Sequence, residues 1–142
     1  MTYENYIKAR LVDYAVNEAY HHGGIEGMCA VAQIIANRVK AGWGEWKQVI
    51  DNAPNYIGTI VPAPKFEPRD IAFRRMLSMV DEIYQGTSDD TNVSIEDDRG
   101  KIVGLYYAEL NNINRDWFIK NVVTHIDRHP RIATVGPMTI FG

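Results

Sequence analysis

The chain has 142 residues, of which 46% are hydrophobic, and its formal net charge is -3 at pH 7. This length suits one domain with its own hydrophobic core, so we expect residues 1–142 to form a single domain. Fifteen basic residues stand against eighteen acidic ones, which argues against nucleic acid as a partner. The single cysteine, Cys29, excludes an intrachain disulfide and any zinc site built from several thiolates.

The N-terminal residues lack the basic and then apolar order of a secretory signal peptide. No stretch of the sequence approaches the roughly 18 consecutive apolar residues of a membrane-spanning helix. We therefore expect a chain that is made in the cytoplasm without a signal peptide and that does not insert into a membrane.

Hydrophobic spacing predicts three helices at the start of the chain. The first covers residues 5–20 and is amphipathic, and Gly23 and Gly24 end it. The second covers residues 25–40 and is apolar on nearly all sides, which is typical of a buried central helix. A short third helix is predicted from Glu45 to Asn52.

A loop and a fourth helix are predicted next. Residues 53–67 contain three prolines, a glycine and scattered aromatic residues, which indicates a loop at the surface. Pro68 suits the first turn of a helix that runs to about Tyr84 and is ended by Gly86.

The remaining sequence favours β-structure. Ser88 to Gly100 is acidic and polar and predicts a solvated loop or a poor hairpin. Ile102–Ala108 and Val135–Phe141 have the composition of strands. Helices followed by strands in one small domain predict an α+β fold that is mostly helical, with a small sheet in the C-terminal half.

Glu18 is the first candidate for chemistry. It lies on the face of the first helix that also carries Ile7 and Tyr14, so its carboxylate is predicted to face the core. Apolar surroundings and the negative C-terminal end of the helix should both raise the pKa of this carboxyl group, as a general acid near neutral pH requires. Alternatively, Glu18 extends to solvent or pairs with Arg10 or Arg38.

Polar residues also follow one face of the second helix. Glu26, Gln33 and Asn37 are seven and four residues apart, so they share that face. Buried amides need partners, so Gln33 and Asn37 either line a wet cleft or bridge to other elements. Arg38, beside them, either holds a carboxylate in place or is exposed at the helix end.

The four histidines are candidate metal ligands. His125 and His129 are four residues apart, but Pro130 follows directly and the acidic residue of the H-E-x-x-H pattern is missing. We expect His21, His22 and these two histidines to be exposed in loops. No metal and no cofactor are predicted.

An aromatic and amide-rich segment lies near residue 110. Aromatic faces with amide groups are suited to sugar recognition, and they also suit a small packed core, to which we assign about two of the four aromatic residues. The residues concerned are Tyr106, Tyr107, Trp117 and Phe118, together with Asn111, Asn112 and Asn114.

A first block of motifs consists of NEA at 17–19, EGM at 26–28 and VAQIIANRV at 31–39. It resembles the signature of the SleB-type cell-wall hydrolases, known first as spore-cortex-lytic enzymes, and the resemblance extends along nearly the whole chain. GLYY at 104–107 and WF at 117–118 are similar to later motifs of the family, and Val135-Gly136 with Phe141 is similar to its closing motif.

The resemblance implies a lysozyme-like domain whose catalytic acid is Glu18, and it implies substrate contacts from the polar helix face and the aromatic segment. These contacts are Glu26, Gln33, Asn37, Tyr106, Tyr107 and Trp117. Two departures from the family stand out. His22 occupies the position of a second glutamate four residues after the first, and Met138 or Thr139 stands where the family has a histidine.

Three functions follow as hypotheses. The first is lytic transglycosylation of the MurNAc–GlcNAc β-1,4 bond in peptidoglycan with Glu18 as the single acid and base. The second is a hydrolytic muramidase with Asp13, Glu26 or Glu109 as a second acid. The third is a non-catalytic glycan-binding or virion structural module. The expected setting is a monomeric phage endolysin or virion lysin that reaches the periplasmic peptidoglycan through a pore made by another protein.

Overall fold

The computed structural model describes residues 2–53, 70–88, 91–111 and 116–142, and it has an α+β fold in which helices precede small antiparallel sheets. A single turn of 3-10 helix precedes β1, and α5 continues as a π-helical turn to Val123. The elements are α1 (Tyr3–Ala19), α2 (Gly24–Lys40), α3 (Trp46–Asn52), α4 (Ile71–Gln85), β1 (Ser94–Asp97), β2 (Gly100–Val103), β3 (Tyr106–Ala108), α5 (Asp116–Phe118), β4 (Arg131–Val135) and β5 (Met138–Phe141).

The first two helices agree with the hydrophobic pattern to within two residues at each end. Thr2 caps α1, because its hydroxyl oxygen accepts a hydrogen bond of 3.2 Å from the backbone N–H of Asn5. Helix α2 is buried from Met28 to Arg38 except at Cys29, and it contacts α1, α3 and α4. The prediction of a buried central helix is therefore confirmed.

The third and fourth helices begin later than predicted. Glu45 is the N-cap of α3, where its side chain and that of Gln48 form a reciprocal capping box. Helix α4 begins at Ile71 with Asp70 as its N-cap. Pro68 and nearly all of the predicted loop at 53–67 lie outside the described residues. Gly86 ends α4 with a φ of 76°, as expected of a C-terminal glycine.

The strand predicted over Ile102–Ala108 is wrong as a continuous element, because it is divided between two sheets. Strand β2 pairs with β1, which makes the acidic segment a hairpin, whereas β3 pairs with β5. The chain turns at Gly104, whose N–H donates to the carbonyl of Val93 at 2.5 Å. A Cβ atom at Gly104 would lie 2.6 Å from the Ile140 side chain, so only glycine fits this crossing.

The strand predicted over Val135–Phe141 is also corrected, since it contains a turn. Strands β4 and β5 form an antiparallel hairpin about Gly136, which has a φ of 55°. The strand order of this sheet is β3-β5-β4, so β3 lies at an edge. Among the described residues, no helix combines the length and the apolar character needed to cross a bilayer.

Candidate active site

Glu18 is buried at the C-terminal end of α1, with 6% of its surface exposed. The face that it shares with Ile7 packs into the core, as the helical spacing predicts. The alternative in which Glu18 extends to solvent is therefore wrong. Arg10 forms an ion pair of 2.7 Å with Asp51 at the surface.

Two tyrosine hydroxyls lie against the Glu18 carboxylate. The hydroxyl of Tyr107, on β3, donates a hydrogen bond of 2.7 Å to Oε1 of Glu18. The hydroxyl of Tyr14, one turn before Glu18 on α1, forms a hydrogen bond with that of Tyr107. Residues from the first helix and from a strand near the C-terminus therefore meet in one cluster, which we call the Glu18 cluster (Tyr14, Glu18 and Tyr107).

Burial keeps both phenols of the Glu18 cluster protonated. It raises the pKa of Tyr107 well above the ordinary value of 10.0, and the neighbouring Tyr14 phenol and the negative charge of Glu18 raise it further. The pKa of Tyr14 is raised mainly by burial and then by the charge of Glu18. Neutral phenols remain hydrogen-bond donors, so the environment of Glu18 is fixed across the physiological pH range.

Arg38 brings a positive charge to the edge of this cluster. It is 1% exposed, so the expectation of an exposed arginine at the helix end is wrong. Its Nε donates a hydrogen bond of 2.8 Å to the carbonyl of Leu105, and its guanidinium lies 5.9 Å from the centre of the Tyr107 ring. Its charge lowers the pKa of both tyrosines, in opposition to burial.

The two amides of α2 bridge elements of the fold. Gln33 donates to Asn37 at 3.2 Å, and Asn37 donates at 2.9 Å to the carbonyl of Gly104. Ser88, after α4, donates to the side-chain oxygen of Gln33. Both amides are nearly buried, whereas Glu26 is exposed in the first turn of α2. The structure therefore brings Gln33 and Asn37 together in the interior, while Glu26 is exposed.

The aromatic residues fall into two groups. Tyr107 and Phe118 are fully buried, while Tyr106 is half-buried and Trp117 is 59% exposed. The division agrees with the expectation that about two of the four belong to the core. Tyr107 reaches the site through its hydroxyl, and its ring packs in the core. Asn111 is exposed, and two further predicted amides lie outside the described residues, namely Asn112 and Asn114.

His22 and Glu109 form a pair that the sequence did not predict. Nδ1 of His22 lies 2.5 Å from Oε2 of Glu109, and the two side chains are 12% and 14% exposed. His22 is four residues after Glu18, and Glu109 is two residues after Tyr107. Those spacings were the available signal, but they become informative only once the hydrogen bond between Tyr107 and Glu18 shows that β3 reaches the end of α1. The expectation that His22 is an exposed loop residue is wrong.

The other histidines do not join this pair. His21 and His125 are exposed, and Nδ1 of His129 lies 2.9 Å from the carbonyl oxygen of Gly142. Within the described ranges, no group of three or more histidine, cysteine, aspartate or glutamate side chains is arranged to hold a metal ion. Cys29 is half-buried, and burial raises the pKa of its thiol.

Comparisons of the chain with protein-family models, with curated proteins and with solved structures find no match. The chemistry therefore has to be inferred from the arrangement of the residues. A buried carboxyl group that is held by neutral phenols is suited to transferring one proton to or from a bound substrate.

Proposed function

We propose that the protein cleaves the β-1,4 bond between MurNAc and GlcNAc in peptidoglycan by lytic transglycosylation, with Glu18 as the single acid and base. The observation that carries the proposal is the burial of Glu18 together with the hydrogen bond of 2.7 Å from Tyr107. The resemblance of the motifs at 17–19 and 31–39 to those of the SleB-type hydrolases supports the same assignment.

The reaction needs one carboxyl group. Glu18 gives its proton to the glycosidic oxygen, and the bond between that oxygen and the anomeric carbon breaks. The N-acetyl oxygen of the substrate stabilises the positive charge on the anomeric carbon. The Glu18 carboxylate then takes the proton of the 6-hydroxyl, whose oxygen bonds to the anomeric carbon and gives a 1,6-anhydro end. The acid is restored, and no water is consumed.

The expected setting is that of a phage endolysin or virion lysin. Its substrate would be the glycan strands of periplasmic peptidoglycan, and a pore made by another protein would give access to them. Turbidity of permeabilised Gram-negative cells reports this activity, with a fall expected for the wild-type protein.

Product mass and one isosteric variant test the proposal. Purified peptidoglycan is digested, and the soluble fragments are weighed by mass spectrometry. We expect anhydro ends from the wild-type protein, and a loss of about 100-fold to 10,000-fold in rate for Glu18→Gln. Glu96→Gln, at an exposed position on β1, is the matched control and should retain activity. Full activity of Glu18→Gln would overturn the proposal.

The His22–Glu109 pair favours a second candidate, a hydrolytic muramidase in which Glu109 activates water. Hydrolysis needs a second carboxylate about 5 Å from the first in retaining enzymes and about 6.5–9.5 Å away in inverting ones. Asp13 and Glu26 are exposed, whereas Glu109 is mostly buried and lies two residues after Tyr107. Fragments that have gained water, and that disappear in Glu109→Gln, would establish this reaction in place of transglycosylation.

The non-catalytic alternative predicts a different result. A glycan-binding or virion structural module would release no fragments, and Glu18→Gln would behave as the wild-type protein does in every assay.

A further inference from the structure

A partly exposed aromatic surface lies on the side of β3 away from Glu18. Trp43 is 46% exposed, and its ring centre lies 5.5 Å from that of Tyr106, which in turn lies 5.0 Å from that of His129. Consecutive residues of a strand point to opposite faces, so Tyr106 faces away from the Glu18 cluster that Tyr107 joins. We call these three residues the Trp43 surface (Trp43, Tyr106 and His129).

Two rings of the Trp43 surface, those of Trp43 and Tyr106, lie close to the guanidinium of Arg38. The guanidinium of Arg38 lies 5.1 Å from the Trp43 ring centre and 5.8 Å from that of Tyr106. Arg38 is itself buried and bonded to the Leu105 carbonyl, so these cation–π contacts start from a fixed group. An aromatic ring that is already oriented loses little conformational entropy when a ligand covers it.

The turn after α2 places the exposed indole. Gly42 and Gly44, on either side of Trp43, have φ values of 86° and 146°, which glycine adopts without strain. The N–H of Trp43 donates at 3.1 Å to the carbonyl of Arg38, which ties the turn back to the last turn of the helix. The same short segment therefore supplies both the indole and the cation that orients it.

The side chains of the Trp43 surface also carry polar atoms. A carbonyl oxygen carries no proton, so in the bond between His129 and Gly142 the histidine Nδ1 is the donor. In the neutral ring, Nε2 is then an acceptor. Burial raises the pKa of Tyr106, which keeps its phenol a donor. A flat apolar ring bordered by donors and acceptors complements a pyranose, which has C–H faces and hydroxyl edges.

We infer that the Trp43 surface binds the sugar rings of a glycan strand, at a contact distinct from the Glu18 cluster. The choice of a peptidoglycan strand as the ligand rests on the proposed function. The contact would hold the polymer while bonds elsewhere along it reach Glu18.

Co-sedimentation with purified insoluble peptidoglycan tests the inference, with Glu18→Gln as the background so that the polymer stays intact. Trp43→Leu keeps an apolar side chain over Arg38 but removes the aromatic face, and we expect it to weaken binding about tenfold. Trp43→Tyr restores an aromatic face and should restore binding. Unchanged binding by a folded Trp43→Leu protein would overturn the inference.

Two further measurements keep the outcomes distinct. Thermal unfolding of each variant identifies any loss of folding. If Trp43→Leu does not fold, His129→Ala replaces it, and we expect this variant to bind peptidoglycan more weakly. Unchanged binding by His129→Ala would then contradict the inference. Cleavage by the wild-type protein is measured separately. Binding that depends on Trp43 without any cleavage would support the Trp43 surface and refute the proposed reaction. Cleavage together with binding that is unchanged in Trp43→Leu would support the proposed reaction and refute the role of the Trp43 surface.

Discussion

The hydroxyl of Tyr107 meets the carboxylate of Glu18 although 89 residues separate them in the chain. The bond joins the end of the first helix to an edge strand, and it forms only when the whole domain is folded. The position of the carboxyl group therefore depends on the sheet as much as on the helix. A change that shifts β3 is expected to alter the chemistry of Glu18 as well.

If Glu18 is the acid of the proposed reaction, removal of the Tyr107 hydroxyl is expected to lower kcat more than it raises KM. In Tyr107→Phe the ring still fills the core, but the buried carboxylate loses a donor, which costs about 1–3 kcal/mol in the free energy of unfolding. Steady-state kinetics and urea unfolding measure the two effects. Tyr3→Phe, at a half-exposed position, is the control and should change neither. An unaltered kcat in a stable Tyr107→Phe protein would show that this hydroxyl does not position Glu18.

Alkaline pH is expected to destabilise the fold through the same pair of phenols. The pKa of both Tyr14 and Tyr107 is raised in the folded protein, so above the ordinary value of 10.0 the unfolded chain loses protons that the folded chain keeps. The contribution of these two phenols to the free energy of unfolding is therefore complete below pH 10, and it is lost as the pH rises towards their pKa values in the folded protein. Each phenol contributes a slope of up to about 1.4 kcal/mol per pH unit.

Urea unfolding below and above pH 10 measures this dependence. Tyr14→Phe should show a shallower decline than the wild-type protein, while Tyr3→Phe should match the wild type. Tyrosinate absorbance gives a second readout, because two phenols should titrate only when the protein unfolds. Titration of all the tyrosines in the folded state would contradict the prediction.

Substitution of Arg38 by lysine is expected to destabilise the protein. An ammonium group cannot reproduce the planar guanidinium that donates to Leu105 and lies against Trp43. A lost charged hydrogen bond at a buried site costs about 1.5–3 kcal/mol, which urea unfolding resolves. Arg10→Lys at the surface pair with Asp51 is the matched control, and no measurable change is expected there. Equal stabilities of the two variants would be contrary to this account.

Gly27→Ala is expected to destabilise the protein even though alanine is the better helix former. A Cβ atom at Gly27 would lie 2.5 Å from the backbone oxygen of His22, so the turn before α2 must move. We expect a net loss of about 1–3 kcal/mol and a weaker contact between His22 and Glu109. Chemical denaturation measures the stability, and NMR of the His22 ring reports the contact.

Gly24→Ala provides the comparison for Gly27→Ala. Nothing lies within 4 Å of a Cβ atom at Gly24, and its φ of 59° costs an alanine about 1–2 kcal/mol. This variant should leave the His22 ring unchanged. A gain in stability of about 1 kcal/mol in Gly27→Ala, as helix propensity alone gives, would contradict the steric argument.

The helical part of the fold and the inward face of Glu18 could be predicted because both depend on local spacing. Apolar residues repeat with the helical period in α1 and α2, and Gly42 follows the C-cap of α2. The predicted end of the first helix at Gly23 and Gly24 is wrong, because α1 ends at Ala19 and these two glycines begin α2. The same spacing places Glu18 on the face of Ile7. The local pattern is therefore enough to predict that Glu18 faces the core, although it does not reveal which residues contact the carboxyl group.

The rest of the site could not be predicted because it depends on contacts between distant segments. The strand-like composition continues through Gly104, although the structure divides the segment there into β2 and β3. The division is explained only by the close approach of Ile140 to Gly104 and by the hydrogen bond from Gly104 to Val93. Arg38 is charged and lies near a helix end, where exposure is the usual outcome. Its burial depends on the carbonyl of Leu105, which no pattern within α2 reveals.

Asn37 and Arg38, neighbours on α2, bind the carbonyls of Gly104 and Leu105, which are neighbours in the link between β2 and β3. Two consecutive side chains thus donate hydrogen bonds to two consecutive peptide carbonyls, and a shift of the link by one residue relative to α2 would break both bonds. The domain should accordingly tolerate an insertion at the Asp98–Arg99 turn, which lengthens only the hairpin tip. One added residue between Gly104 and Leu105 would instead separate the two carbonyls, so that Asn37 and Arg38 could no longer bind both, and it would displace β3 relative to α2.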